Sequence, residues 1–216
     1  MSDAGVFKGG ITLAVIAAIC TALVAATFIL TKERISANEQ AWLERSLQPA
    51  LSGLFFDSGV TESRLIIPAP HELPGSEDAI VYRVYAENVP VAALFVVSAR
   101  DGYSGPIRLL IGVDIAGAIT GVHVLEHRET PGLGDRVESG KSDWIQQYNG
   151  RSITDPAPDG WAIKRDGGVF DQLTGASVTP RAIVNAIRET LLYFAGNTEH
   201  VFAASDPAET PTEDAE

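Results

Sequence analysis

The first apolar stretch of the chain is one continuous run. Residues 9–31 are 23 positions without a charge, and 11–30 are almost entirely apolar. A helix of that length spans about 30 Å at ~1.5 Å per residue, which matches the hydrocarbon thickness of a bilayer. A cleaved signal peptide has an apolar region of only ~7–15 residues. The pattern therefore predicts a short N-terminal segment at 1–10 and a retained transmembrane helix at 11–31.

After this run the apolar positions become periodic. Residues 32–60 follow roughly helical spacing and predict an amphipathic helical stretch, which is either a stalk or a first helix of the domain. Pro49 interrupts it near its end. The apolar positions that carry this pattern are Ile35, Trp42, Leu43, Leu47 and Leu51.

The middle of the chain has the pattern of strands, which begins near Leu65. Runs of β-branched and aromatic residues alternate with turn sequences, such as the turn at 87–90 that predicts a hairpin. Such closely spaced strands are typical of an antiparallel sheet. The predicted strands are 79–86, 91–99, 107–115 and 118–127.

The last third of the chain combines loops with one strong helix. Residues 128–160 are loop-rich with short helical pieces, and 180–195 predict an amphipathic helix. Thr179 is the expected N-cap and Pro180 the first helical residue, while Gly196-Asn197 would end the helix. The apolar stripe of this helix consists of Ile183, Ile187, Leu191 and Phe194. Sheet and helix together predict an α+β fold.

Composition and charge exclude several classes of protein. The chain has 28 acidic and 16 basic residues, a formal charge of −12, which disfavours nucleic-acid binding. Five acids and no base lie in 203–216, which predicts a disordered tail. A single cysteine, Cys20, excludes a disulfide framework and a zinc or iron–sulfur cluster built by this chain alone.

The charges that flank the apolar run give a weak signal for orientation. Lys8 precedes the run, whereas Lys32 and Arg34 follow it. The excess of positive charge slightly favours a cytoplasmic C-terminal domain.

Two kinds of catalytic or metal site are disfavoured. His123 and His127 fall in a predicted strand, where four residues at ~3.3 Å rise separate them by about 13 Å, so we expect a solvated strand end and no metal. No nucleophile-elbow or phosphate-loop sequence accompanies the serines. A hydrolase is therefore disfavoured as well.

Two segments are richer in glycine and hydroxyl residues than packing requires. Residues 129–134 (ETPGLG) suit either a tight turn or a loop whose backbone approaches a ligand. Residues 171–180 (DQLTGASVTP) place Thr174, Ser177 and Thr179 near a helix N-terminus, which suits a phosphate. Ordinary capping is the alternative reading of these hydroxyls.

These two segments resemble a known family. Residues 171–177 match the flavinylation motif D-x-x-[ST]-G-A-[TS], and residues 129–134 match the ETPGLG loop of FMN-binding domains. With the apolar run before them, the chain resembles the G subunit of the Rnf/Rsx ion-translocating electron-transport complex. That protein is related to the C subunit of the sodium-translocating NADH:quinone reductase.

The resemblance implies a covalent FMN within an FMN-binding domain at 61–200. A flavin transferase would attach it to Ser177 as a phosphoester, where the family usually has threonine. The chain has no redox-active side chains of its own, so a cofactor must carry any electrons. No catalytic or metal-binding residue is expected. The cofactor-binding residues that the resemblance implies are Ser177, Asp171, Thr174, Gly175, Ala176, Thr179, Glu129, Thr130, Pro131, Gly132, Leu133, Gly134 and Tyr103.

The resemblance also implies partners and a location. The chain would be a single-pass component of a bacterial inner-membrane translocase linked to ferredoxin and NAD, with its C-terminal domain in the periplasm, against the weak charge signal. It would act only with the other membrane subunits of the complex. The alternatives are a component of another extracytoplasmic flavin-based chain and a scaffold protein without redox function.

Overall fold

A computed structural model of the chain describes residues 63–203 and seven helical residues between 13 and 21. The chain divides into two compact units, Met1–Leu43 and Glu44–Glu216. No helix among the described residues is long and apolar enough to cross a membrane. Most of the predicted transmembrane helix at 11–31, the segment 1–10, the stalk at 32–60 and the tail from residue 204 lie outside the described residues.

The described part of the larger unit is built on a five-stranded antiparallel sheet. Neighbouring strands in the chain are neighbours in the sheet, so the order is β1-β2-β3-β4-β5. Four of these strands match the predicted ones to within two residues at each end, and the fold is α+β as predicted. The strands are β1 (Arg64–Ile67), β2 (Ala79–Ala86), β3 (Val89–Ala99), β4 (Ile107–Asp114) and β5 (Ile119–Glu126).

The predicted hairpin between β2 and β3 exists but is tighter than expected. Glu87 and Asn88 both have positive φ, 50° and 66°, as in the two-residue turns that match the twist of a hairpin. Val89 and Pro90 already pair with β2. The assignment of these two residues to the turn was therefore wrong, because sheet pairing extends to the residue after the two left-handed positions.

The loop-rich region contains short 3₁₀ helices, as the sequence predicted. They are Gly134–Val137, Trp144–Tyr148, Pro158–Gly160 and Lys164–Asp166. Tyr148 and Phe170 are buried, and their ring centroids lie 4.8 Å apart. Trp161 also packs on Phe170, at 4.9 Å. These aromatic contacts fix the region that leads into the last helix.

The last helix, α1 (Val178–Phe202), lies mainly over β3, with further contacts to β4 and β2. Phe194 meets Phe95 of β3 edge to face at 5.9 Å. All four residues of the predicted stripe are at most 2% exposed: Ile183, Ile187, Leu191 and Phe194. Helix and sheet thus share one apolar core, and this packing holds the start of the helix in place.

The predicted cap of α1 was wrong. The N-cap is Ser177, whose side chain makes no capping hydrogen bond, and Thr179 lies within the first turn. Its hydroxyl donates instead to Glu129. Pro180 is consequently the third helical residue, where a missing N–H is still tolerated. A buried tertiary acceptor has replaced the local capping that the sequence pattern suggested.

The predicted end of α1 coincides with a kink. Asn197 has a φ of −129°, which is not helical, and it separates two helical segments, of which the second runs to Phe202. Val201 is fully buried, and Phe202 contacts the rings of Tyr85 and Phe194. The sequence signal at Gly196-Asn197 thus marked the break, and burial of these apolar residues stabilises the second segment, which the sequence did not predict.

Leu191 and Leu192 offer a matched test of this packing. Leu191 is 2% exposed and Leu192 is 49% exposed. We expect Leu191→Ala to cost about 2–5 kcal/mol of unfolding free energy, and Leu192→Ala less than about 1 kcal/mol. Urea unfolding of the full chain in detergent, followed by circular dichroism, measures both. Equal losses would contradict the placement of α1 on the sheet.

Candidate functional site

The two glycine- and hydroxyl-rich segments meet at one cavity of about 400 Å³. A third segment, the turn between β3 and β4, completes its wall. This volume lies within the range of small-molecule sites, ~300–1,000 Å³. The lining residues are Tyr103, Glu129, Thr130, Leu133, Gly134, Gly175, Ala176, Ser177, Val178 and Thr179.

The cavity separates the thirteen predicted cofactor-binding residues into two groups. Nine of them line it, and four do not: Asp171, Thr174, Pro131 and Gly132. The sequence interpretation missed Val178, which lies between two motif residues. Only its position between Ser177 and Thr179 could have indicated it.

Pro131 and Gly132 form the outer tip of a tight turn. The N–H groups of Leu133 and Gly134 both donate to the carbonyl of Thr130 at 3.2 Å. Gly132 has φ +79°, and a Cβ built on it meets nothing within 4 Å. The predicted tight turn is therefore present at the tip, and the two residues after it, Leu133 and Gly134, line the cavity.

Asp171 lies at the surface and contacts groups away from the cavity. Its carboxylate pairs with Lys164 at 2.5 Å. Its backbone accepts from the indole N–H of Trp144 and donates to the side chain of Gln147, at 2.6 and 2.7 Å. These bonds fix the first residue of the motif against the Trp144–Tyr148 helix.

Glu129 is the central polar residue of the cavity wall, and it is 5% exposed. Its Oε1 accepts from the backbone N–H of Ser104 at 3.0 Å. Its Oε2 accepts from the hydroxyl of Thr179 at 2.5 Å. One carboxylate thus joins the turn after β3, the loop after β5 and the first turn of α1.

Two glycines leave room for this carboxylate. A Cβ on Gly134 would lie 2.8 Å from Oε2 of Glu129 and 3.0 Å from the hydroxyl oxygen of Thr179. A Cβ on Gly102 would lie 3.0 Å from Oε1 of Glu129 and 2.2 Å from the carbonyl of Gly105. Neither glycine has a positive φ, so close approach is the reason for glycine at both positions.

The three hydroxyls near the start of α1 differ in their surroundings. Thr179 is fully buried and donates to Glu129. Thr174 is exposed and does not line the cavity. Ser177 lines the cavity at the N-cap, and within residues 63–203 its hydroxyl has no hydrogen-bond partner. Of the three, only the Ser177 hydroxyl both belongs to the cavity wall and is unbonded.

The charge of the cavity is unusual for an anion site. Among the described residues that line it, Glu129 alone has a charged side chain, and none is a lysine, arginine or histidine. Positive potential comes from the N-terminus of α1, whose unpaired N–H groups act as roughly half a positive charge.

The mouth of the cavity is apolar and open. Tyr103 is 71% exposed, Leu133 42% and Val178 38%. Large apolar side chains with this exposure at one opening suit a flat apolar ligand that would cover them.

The expected solvated strand end at His127 was wrong. The side chain is 11% exposed; its Nδ1 accepts from the backbone N–H of Glu129, and its Nε2 contacts Glu138 at 2.7 Å. Hydrogen bonds from Lys141 and then His127 lower the pKa of Glu138. Glu138 lies on a later loop, so the strand pattern could not reveal it as the partner of His127.

His123 differs, since burial of the imidazole is what lowers its pKa.

Comparison with protein families gives two matches. Residues 102–192 match the family described as FMN-binding domain. Residues 1–49 match the family described as RnfG N-terminal region. The first match contains all ten residues of the cavity wall.

Individual relatives match over nearly their whole length. Each is named as the G subunit of an ion-translocating oxidoreductase complex. The protein of Shewanella amazonensis is 40% identical over 91% of this chain and 92% of its own. That of Escherichia coli strain K12 is 44% identical over 86% and 89%, and that of Pseudomonas aeruginosa strain PAO1 is 39% identical over 93% and 94%.

Gly134 and Gly132 test the cavity wall. We expect Gly134→Ala to displace Glu129 or Thr179, and so to change the absorption spectrum or the occupancy of bound flavin. Gly132→Ala should cost about 1–2 kcal/mol through its left-handed backbone and leave the spectrum unchanged. Both are measured on the purified full chain by thermal unfolding and visible absorption. A spectral change in Gly132→Ala alone would contradict this placement.

Proposed function

The chain belongs to the RnfG family, the G subunits of ion-translocating oxidoreductase complexes, and from this membership we propose that it carries electrons through an FMN bound covalently to Ser177. It is one part of an oxidoreductase and is not catalytic alone. When bound, FMN supplies reversible transfer of one or two electrons. The residues of this chain hold and orient it.

The cavity wall suits the parts of FMN. Tyr103, Leu133 and Val178 offer exposed apolar surface for the ring system. The N-terminus of α1 offers N–H groups for the phosphate. Gly175 has φ +83°, which lets the motif backbone turn beside Ser177. The apolar residues thus fit the ring system, and the start of α1 with Gly175 fits the phosphate.

The observation that carries the proposal is the state of the Ser177 hydroxyl. It lines the cavity at the N-cap of α1, and nothing in the described part of the chain hydrogen-bonds to it. Thr179 is bonded to Glu129 and fully buried, and Thr174 does not line the cavity. Ser177 is thus the hydroxyl best placed to receive a phosphate that lies at the helix N-terminus.

The charge of the wall favours covalent attachment over simple binding. A phosphate monoester carries about −1.5 to −2 charges at neutral pH, and the described residues of the wall include Glu129 and no cation. A phosphodiester carries a single negative charge. Attachment to Ser177 therefore reduces the charge to be accommodated and removes the need for a basic residue.

The bond changes of the attachment are those of a phosphoryl-type transfer. Ser177 would supply the oxygen that bonds to the phosphorus of the FMN half of FAD, with the phosphoanhydride bond broken and AMP as the leaving group. A flavin transferase would take up the hydroxyl proton, and no oxidation or reduction would be needed.

The location of the cofactor follows from the anchor. We propose that residues 11–31 cross the bacterial inner membrane once, and that the flavin domain lies in the periplasm beside other membrane subunits of the complex. The run of 23 residues without a charge supports the anchor, and family membership supports the partners.

Replacement of Ser177 tests the attachment. Ser177→Ala should lose covalent flavin while the fold remains, because one half-buried hydroxyl is removed at a cost within about 1 kcal/mol. The full chain is co-expressed with a flavin transferase, and fluorescence of the denatured protein in a gel reports covalent flavin.

Ser177→Thr is the matched variant that keeps the hydroxyl. It should retain covalent flavin. Peptide mass mapping of the wild-type chain then identifies the modified residue. FMN on Thr174 or Thr179, with Ser177 free, would overturn the assignment.

Deletion of residues 1–31 tests the anchor. We expect a soluble domain that still acquires covalent flavin when the transferase shares its compartment, because the sheet and α1 supply its core. Electron transfer in the complex should fall. Full turnover by the truncated chain at stoichiometric concentration would contradict a positioning role for the anchor.

A further inference from the structure

Glu129 has an arrangement that holding a cofactor does not by itself explain. Its carboxylate is buried at 5% exposure and lies in the wall of the flavin cavity. Burial of a charge is costly unless hydrogen bonds or an opposite charge compensate it. The hydrogen bonds are present, but within residues 63–203 the opposite charge is not.

Both oxygens of Glu129 accept a hydrogen bond. The donors are the Ser104 N–H at 3.0 Å and the Thr179 hydroxyl at 2.5 Å. A carboxylate accepts at both oxygens, so these two donors fit the carboxylate form of Glu129.

No cation neutralises this charge within the described residues 63–203. No lysine, arginine or histidine forms an ion pair with Glu129 across that range. His127 is the nearest candidate in sequence, but its Nδ1 accepts from the Glu129 N–H. The other ring nitrogen, Nε2, contacts Glu138 at 2.7 Å, so neither nitrogen of His127 donates to the Glu129 carboxylate.

We propose that Glu129 is a positioning residue whose uncompensated negative charge also makes the bound flavin harder to reduce. The carboxylate joins the three segments of the wall, and its charge disfavours the addition of electrons nearby. The inference rests on the proposed function, since it concerns the flavin held at Ser177. The inference is tested by the midpoint potential of the flavin, whereas the proposed function is tested by whether the flavin is attached.

The two parts of this role are separable by substitution. Glu129→Gln keeps the length of the side chain, and its amide can accept from Ser104 and donate to Thr179, whose hydroxyl then accepts. It removes the charge and keeps the geometry. Glu129→Asp keeps the charge and shortens the reach to both partners.

The experiment measures the midpoint potential of the flavin in the full chain, co-expressed with a flavin transferase and purified in detergent. Glu129→Gln should shift the potential to more positive values, so that more than half of its flavin is reduced at the wild-type midpoint. Glu129→Asp should keep a potential closer to the wild type but unfold at a lower temperature.

Glu126→Gln is the matched control. Glu126 is an exposed carboxylate at the end of β5, three residues away in the chain, and does not line the cavity. The same change in net charge there should leave the potential unchanged. Equal shifts in Glu129→Gln and Glu126→Gln would overturn the local role of Glu129.

The outcomes distinguish this inference from the proposed function. Covalent flavin with an unchanged potential in Glu129→Gln overturns the inference alone. Absence of covalent flavin from the wild-type chain overturns the proposed function, and the inference with it. Thermal unfolding of each variant shows whether a changed potential arises in a folded protein.

Discussion

The hydrogen bond between Thr179 and Glu129 is the contact on which the site depends. It joins a loop at one end of the sheet to the first turn of the longest described helix, fifty residues later in the chain. Because Glu129 also accepts from the Ser104 N–H, one buried carboxylate links the three segments of the cavity wall. The absence of a Cβ at Gly102 and Gly134 leaves the space that this contact requires.

Helix α1 couples the site to the core. Its apolar stripe packs on β3 through Phe194 and its neighbours, and its first turn carries Thr179 beside the N-cap Ser177. The position of the candidate acceptor hydroxyl is therefore determined by core packing and not by a flexible loop. A rigid element is the better support for a cofactor whose orientation governs electron transfer.

The charges of the cavity connect its structure to the proposed chemistry. Among the described residues the wall has Glu129 and no basic residue, which suits a phosphodiester at a helix N-terminus better than a freely dissociating phosphate monoester. The proposed attachment and the proposed effect of Glu129 on the flavin would then share one physical origin, which is the scarcity of positive charge among these lining residues.

The sequence by itself determined the strands, the stripe of α1 and the two segments of the site, because these depend on local periodicity and on short motifs. It also carried the resemblance that the family comparisons confirmed. Only the tertiary structure decided which hydroxyls are free. The local sequence pattern predicted Thr179 as a helix cap and His127 as a solvated strand end. In the structure, Thr179 bonds to Glu129 and His127 to Glu138, and both partners are distant in the chain. Gly132 and Gly134 are alike in sequence, and only the folded chain distinguishes them: Gly132 has a left-handed backbone in open space, whereas Gly134 packs against Glu129 and Thr179. Long-range partners of buried polar groups leave no periodic signal, and for that reason they required the folded chain.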